Sequence, residues 1–178
     1  MEYGKQVTGR LNEQLMGVVE DLVRGGGDGR ISKLDAEKIM AALVEGNTCT
    51  SVEKETIRYI HDRYHWTESA QRWFGDQLQR WTAEFEKPMP MSPNEVSQQR
   101  FSREDVLSND TDREVREHGL RSATNETYLD HDDITLIVRL ANGRRVEVTT
   151  NFIELAGPFV ELKGGYNIPL KAVEKVEI

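Results

Sequence analysis

Two histidines stand four residues apart in the segment HDRYH, residues 61–65. In a helix this spacing places the imidazoles of His61 and His65 on one face, where neutral ring nitrogens can bind zinc. A catalytic zinc site needs a third protein ligand, and no residue stands at a recognisable spacing to supply it. A histidine at a helix end also has a simpler role, because its positive charge complements the helix dipole.

The segment resembles the zincin motif H-E-x-x-H, with Asp62 in the place of the glutamate that acts as general base. This resemblance implies a metal-dependent hydrolase that uses His61 and His65. Asp62 is one methylene shorter than glutamate, and His65 falls at the predicted end of its helix. We therefore place the hydrolase second, behind a non-catalytic function.

A second candidate metal site lies between two amphipathic segments, in the loop DGRIS, residues 28–32. The loop resembles the centre of an EF-hand calcium loop: an acid, a turn glycine, a free position, a buried aliphatic residue and a hydroxyl. The resemblance covers residues 21–46 and implies a helix–loop–helix fold. Gly29 would make the sharp turn, and Ile31 would pair with a partner loop.

The ligand positions of this loop are degenerate. With Gly29 at the sixth loop position, the positions that hold ligands in the family fall on Arg24, Gly26, Asp28, Ser32 and Asp35. The first two supply no side-chain oxygen, and a cation at the first position repels calcium. The resemblance therefore predicts a retained scaffold and at most a weak calcium-responsive site at Asp28, Ser32 and Asp35. A longer loop, with a ligand from Asp21, is an alternative.

EF-hands usually occur in pairs, and residues 52–86 offer a second half. His65, Trp66 and Thr67 lie between two helical segments much as Arg30, Ile31 and Ser32 do. The second loop is too short to hold calcium. If the two loops form a degenerate EF-hand pair, we expect Ile31 and Trp66 to be in contact.

Aromatic residues mark the last helical segment of this region. Trp66, Trp73, Phe74, Trp81 and Phe85 recur at helical spacing, which is typical of a buried face. Three tryptophans in so short a stretch exceed what a small helical bundle needs. The alternative is a surface that binds a partner peptide or helix, with Trp66, Trp73, Trp81 and Phe85 as candidate contact residues.

Hydrophobic periodicity predicts four helices in residues 1–87. The first carries apolar residues from Val7 to Val23 on one face and ends at Gly25. The second begins after Ser32 and stops at Gly46-Asn47, the third follows Ser51, and the fourth follows Thr67.

Residues 88–130 have the composition of an acidic linker with short helices or disorder. They carry a net charge of −4 and few apolar side chains. Within them, Ser92-Pro93-Asn94-Glu95 predicts a capped helix start.

Apolar residues alternate with period two in residues 131–178, which predicts a small antiparallel β-barrel or bent sheet. Asn142-Gly143 predicts a type I′ hairpin turn, and Pro169 suits an edge strand. The strand spacing is similar to that of SH3-like and Sm-like barrels. The whole chain is thus α+β, with a helical domain, a linker and a β domain.

Composition narrows the function classes. The net charge of −8 disfavours sequence-independent binding to nucleic acid and to anionic membranes. A lone cysteine, Cys49, and the lack of an apolar leader predict a cytoplasmic protein. Cys49 has no recognisable base beside it for nucleophilic catalysis.

The leading hypothesis is a non-catalytic, regulatory or protein-interaction protein with a protein partner and no cofactor. The alternatives are a bound calcium ion at Asp28, Ser32 and Asp35 or a bound zinc ion at His61 and His65.

Overall fold

The computed structural model describes residues 10–25, 28–129 and 132–178. The chain divides into two compact units, Met1–Glu84 and Phe85–Ile178, and each is described by itself. Helices fill the first unit and sheets dominate the second, which confirms the predicted α+β class. None of the described helices is both long and apolar enough to cross a bilayer. The predictions for Val7 and Gly26 lie outside the described residues.

In residues 10–25 and 28–84, the helical unit contains four helices and two short strands. They are α1 (Glu13–Arg24), β1 (Arg30–Ile31), α2 (Lys33–Gly46), α3 (Ser51–Arg63), β2 (His65–Trp66) and α4 (Glu68–Glu86), whose last two residues belong to the second unit. The four helices agree with the hydrophobic periodicity.

Side-chain caps set the helix starts. Ser32 caps α2, as predicted, and forms a reciprocal capping box with Asp35. The cap of α3 is Thr50 and not the predicted Ser51, because Thr50 and Glu53 form the complete capping box. At the end of α2, Asn47 takes the left-handed conformation, with φ of 46°.

The strands β1 and β2 pair in parallel, with Ile31 opposite Trp66. The backbone N–H of Thr67 donates to the Ile31 carbonyl at 3.0 Å. Gly29, with φ of 77°, makes the turn that leads into β1. The contact between Ile31 and Trp66 that a loop pair requires is therefore present. Because the strands run parallel, the two halves are not related by a two-fold axis perpendicular to them.

The part of the second unit that the structure describes holds seven strands in two sheets. The strands are β3 (Met89–Pro90), β4 (Ile134–Arg139), β5 (Arg145–Thr150), β6 (Ile153–Ala156), β7 (Phe159–Leu162), β8 (Tyr166–Pro169) and β9 (Val173–Glu177). One sheet has the order β3-β5-β4-β9 and the other β6-β7-β8. All strand pairs are antiparallel except β3 with β5. The described strands form open sheets and no closed barrel, so the barrel alternative is wrong.

The strand after the hairpin is divided in the structure. The pattern of Val146, Val148 and Thr150, which continues toward Ile153 and Leu155, predicts one return strand. Instead, β5 ends at Thr150 and β6 begins at Ile153, and the two strands belong to different sheets. The Thr150 hydroxyl accepts from the Phe152 N–H at 3.3 Å and donates to the Phe152 carbonyl at 3.0 Å. These local bonds compete with the ladder and turn the chain.

The Asn142-Gly143 hairpin differs from the predicted type I′ turn. Positive φ occurs at Gly143 (85°) and not at Asn142. The Gly143 N–H donates to the Leu140 carbonyl at 3.0 Å, and the Leu140 N–H donates to the Arg144 carbonyl at 2.9 Å. This is a three-residue loop with a glycine bulge, which needs only one residue at positive φ.

Residues 88–130 form part of the second unit and are not the predicted linker. They contain β3, the capped helix α5 (Pro93–Ser97) and the long helix α6 (Asp110–Leu129). Val96, Leu120 and Ala123 are fully buried in one cluster with the strands. Gly119 lets α6 approach closely, since a Cβ there would lie 3.3 Å from Val176 Cβ. A few well-placed apolar residues therefore suffice to pack α6 on a sheet.

Candidate functional site

An apolar cleft lies between α3, β2 and α4, entirely within the helical unit. It has a volume of about 250 Å³. Its lining residues are Lys54, Ile57, Arg58, His61, Trp66, Gln71, Phe74, Gly75 and Leu78. We call it the α3–α4 cleft.

Two aromatic rings form one wall of the cleft. The Trp66 and Phe74 ring centroids lie 5.0 Å apart, with an interplanar angle of 43°. This tilted arrangement is favourable for aromatic pairs. Phe74 is buried, whereas Trp66 is half-buried, with its indole N–H 3.5 Å from the Ile60 carbonyl oxygen. The pairing of β2 with β1 holds the backbone of Trp66 in place, and this restricts the position of the indole ring.

Gly75 opens the cleft on the α4 side. It lies in the interior of a 19-residue helix, where glycine costs about 0.5–1 kcal/mol relative to alanine. A Cβ built at Gly75 would meet no atom within 4 Å. No steric constraint on the described residues therefore requires glycine here, and its missing side chain leaves the cleft wide.

Polar side chains from α3 and α4 form the rim. The Gln71 amide nitrogen lies 2.9 Å from His61 Nε2. His61 Nδ1 lies 3.5 Å from Asp62 Oδ1. Arg58 is exposed on the same helix. The cleft thus combines an apolar interior with a rim of hydrogen-bonding and cationic groups.

The predicted histidine pair is not assembled on one helix face. Helix α3 ends at Arg63, and Tyr64 is extended, with φ of −107° and ψ of 149°. His65 consequently belongs to β2, while His61 contacts Gln71 at the cleft. In the described residues, no group of three or more His, Cys, Asp or Glu side chains gathers in a way that could hold a metal ion.

The predicted calcium ligands are engaged with protein donors. The Arg30 guanidinium Nε donates to Asp28 Oδ2 at 2.6 Å, and this hydrogen bond lowers the pKa of Asp28. Asp35 Oδ2 accepts from the Ser32 backbone N–H at 3.0 Å and from the Ser32 hydroxyl at 2.7 Å. The carboxylates therefore serve a local ion pair and a helix cap.

The four aromatic residues that were candidate partner contacts have different environments in the structure. Trp81 and Phe85 are buried, with 7% and 1% of their surface exposed, so they do not offer the predicted contact surface. Phe85 also lies under the Arg144 guanidinium, 4.6 Å from its ring centroid. Trp73 is half-buried and does not line the cleft. Of the four, only Trp66 is among the lining residues of the cleft.

Sequence reasoning missed several cleft residues. The hydrophobic pattern does not distinguish Ile57 and Arg58 as site residues, since each fits an ordinary amphipathic helix when taken alone. The available signal was Gly75, an isolated glycine within a strong helical pattern and directly after Phe74.

A second, shallower cleft lies in the sheet unit. It has a volume of about 370 Å³ and is lined by Asn151, Phe152, Glu161, Lys163, Gly164 and Gly165. It is open to solvent, and both signs of charge line it.

Comparison with known proteins adds no relative. No family model, no curated protein and no solved structure matches this chain.

Proposed function

We propose that this chain is a non-catalytic protein-interaction protein, and that its helical unit binds a short apolar segment of a partner in the α3–α4 cleft. The observation that carries the proposal is Gly75. Because Gly75 adds no side chain to the cleft, the space beside the Trp66–Phe74 wall is left for a ligand.

The size of the cleft favours a protein segment over a small molecule. Sites for small ligands and cofactors usually span roughly 300–1,000 Å³. The α3–α4 cleft, at about 250 Å³, is smaller and suits the anchoring side chains of a peptide. An amphipathic helix that places such anchors one turn apart would use the cleft as helix-in-groove complexes do.

The chemistry of the lining favours binding over catalysis. Among the lining residues, His61 is the one group suited to general base catalysis near neutral pH, and its Nε2 is occupied by Gln71. No serine, threonine, cysteine or carboxylate lines the described cleft to act with it.

The helix–loop–helix order supports a scaffold of EF-hand-like type for this unit. Gly29 at the turn and the contact of Ile31 with Trp66 support the likeness, whereas the parallel direction of the bridge departs from a two-fold pair of loops. In this proposal the bridge supports the cleft by fixing Trp66, and the loop has no need of calcium.

A peptide selection on the intact protein tests the proposal. A displayed library of random peptides is selected on the full chain, and the affinities of enriched peptides are measured for the wild type, Gly75→Leu and Gly17→Leu. Gly17 is an exposed helical glycine in α1 with equally open surroundings, so its leucine variant is the matched control. We expect Gly75→Leu to abolish binding by filling the cleft and Gly17→Leu to preserve it. Equal affinities for all three proteins would contradict the proposal.

A further inference from the structure

We propose that the second unit has a docking surface of its own, on the exposed face of the β6-β7-β8 sheet. The surface binds an extended segment of a partner protein in which a basic residue stands between two apolar residues. All of its residues belong to the second unit, so the proposal does not depend on the α3–α4 cleft. We call this surface the outer face.

The three strands give their sheet one buried face and one exposed face. Ile153, Val160 and Ile168 are fully or almost fully buried in the core, and the residues beside them in sequence point to the opposite side. The register of the strands aligns these outward residues in two rows across the sheet. The first row is Ala156, Phe159 and Pro169, and the second is Glu154, Glu161 and Asn167.

Two phenylalanines are exposed at this surface. Phe159 is 44% exposed, and Phe152, which directly precedes β6, is 36% exposed. Phe152 lines the shallow cleft with Glu161 and Lys163, so the carboxylate row lies between the two phenylalanines. By contrast, no exposed large apolar residue occurs in β4, β5 or β9 as the structure describes them. Apolar side chains at the surface therefore distinguish this sheet from the larger one.

Two carboxylates face each other in the second row. Glu154 of β6 stands opposite Glu161 of β7, and like charges in this arrangement repel. Among the described residues, neither carboxylate takes part in an ion pair. Lys163 follows two residues after Glu161 and is exposed, so the outer face carries two negative groups and one positive group. A cation from a partner, placed between the carboxylates, would relieve their repulsion.

The order of groups on the outer face defines the segment that fits it. In an extended chain, alternate side chains point to one side and stand about 6.6–6.8 Å apart, which is also the spacing of successive rows on a sheet. An apolar, a basic and an apolar residue at alternate positions would thus meet Phe159, the carboxylates and Phe152. Arginine suits the central position, because its planar guanidinium can donate to two carboxylates at once.

Charge disfavours a second copy of this chain as the occupant. A two-fold interface sets the same surface of both copies against itself. Two outer faces in contact would bring the carboxylates of Glu154 and Glu161 against their own copies, and like charges across an interface are unfavourable. A partner with the opposite charge avoids this cost.

Two matched peptides test the proposal on the full chain. Both are short, with blocked ends, and carry leucine at two alternate positions separated by threonines. The central residue between the leucines is arginine in one peptide and glutamate in the other. Binding is followed in nitrogen–proton correlation spectra through the backbone amides of Phe159, Glu161 and Asn167. We expect the arginine peptide to shift these resonances saturably and to bind about tenfold more tightly than the glutamate peptide, through several weak charge pairs.

Variants locate the bound peptide. The double variant Glu154→Gln with Glu161→Gln should remove most of the difference between the peptides, whereas Glu104→Gln with Glu114→Gln, at exposed sites of the same unit, should preserve it. Phe159→Thr should weaken the arginine peptide about two- to tenfold. Val115→Thr is its control, since Val115 is 67% exposed on α6. The spectrum of each variant reports whether it is folded.

The remaining outcomes overturn the proposal. If the arginine peptide leaves the three resonances unmoved, or if both peptides bind equally, the outer face does not recognise a basic segment. If Gly75→Leu abolishes binding of the arginine peptide, the peptide lies in the α3–α4 cleft, so this inference is wrong while the proposed function stands. If sedimentation shows a wild-type dimer that Phe159→Thr converts to a monomer, a second copy covers the face instead.

Discussion

The Trp66 ring lies 5.0 Å from the Phe74 ring, so β2 and α4 together form the aromatic wall of the cleft. The two residues reach this position by different means. Trp66 is held through the β1–β2 bridge, and Phe74 through burial on the inner face of α4. The wall therefore depends on the loop pairing as much as on helix packing.

Replacing Gly75 by alanine should stabilise the protein. Alanine has the higher helix propensity, and its Cβ would meet nothing within 4 Å, so we expect the free energy of unfolding to rise by about 0.5–1 kcal/mol. Urea denaturation measures the change. Gly17→Ala should give a similar gain, because it shares the helical setting and the open space. A loss of stability in Gly75→Ala alone would show that glycine has a packing role.

Removing the charge of Asp105 from its ion pair with Arg116 should lower the free energy of unfolding. The Arg116 guanidinium is almost fully buried and makes two bonds of 2.8 Å to Asp105. Asp105→Asn leaves this buried charge without its counter-ion. We therefore expect the free energy of unfolding, measured by urea denaturation, to fall by about 3–5 kcal/mol.

The double variant Asp105→Leu with Arg116→Met serves as the control for this pair. It removes both charges together, so its loss should be smaller than that of Asp105→Asn. A double variant that is less stable than Asp105→Asn would contradict the account of an uncompensated buried charge.

The contribution of Glu53 to stability should depend on pH. Burial tends to raise its pKa, but hydrogen bonds from the Thr50 hydroxyl, the Thr50 N–H and Asn12 outweigh burial and lower it. A lowered pKa means that the ionised carboxylate stabilises the fold above its unfolded value of 4.5, and that this contribution is lost as pH falls through the folded pKa.

Glu53→Gln measures this contribution. At neutral pH we expect it to cost about 1.5–3 kcal/mol, the usual range for hydrogen bonds to a charged group. The difference from the wild type should shrink below pH 4.5, where the wild-type carboxylate takes up a proton. Glu37→Gln, at an exposed site on α2, controls for net charge. A difference that stays constant from neutral to acidic pH would exclude this role for the carboxylate.

Asp35 should matter as a helix cap and not as a calcium ligand. Its Oδ2 accepts two bonds from Ser32, so Asp35→Ala should cost about 0.5–2 kcal/mol in calcium-free buffer. Thermal unfolding with and without millimolar calcium measures this effect. Asp28→Ala, which removes an exposed ion pair, should change stability less than Asp35→Ala does. A calcium-dependent rise in the melting temperature that either variant removes would establish the metal site instead.

Local signals in the sequence predicted the helical unit well. The cap at Ser32, the stop at Asn47 and the start after Thr67 are encoded within a few residues, and the structure contains all three. The contact of Ile31 with Trp66 also followed from the sequence, because equivalent positions in two loops pointed to it. The parallel direction of the bridge could not be predicted from the sequence, because the direction of each loop depends on how the helices pack.

Non-local packing explains what the sequence did not reveal. Leu120 and Ala123 stand in a polar, acidic stretch, and only the facing strands make them core residues. Likewise, Arg58 and Gly75 lie on different helices and meet at one cleft only after folding.

The most direct test of binding in the cleft is the indole N–H resonance of Trp66 during titration with a peptide enriched by selection on the full chain. In a nitrogen–proton correlation spectrum, assigned with Trp66→Phe, we predict that this resonance shifts with peptide concentration while the buried Trp81 resonance stays in place. In Gly75→Leu, the peptide should cause no shift. Saturable binding that leaves the Trp66 resonance unmoved would place the partner elsewhere on the protein and contradict the account.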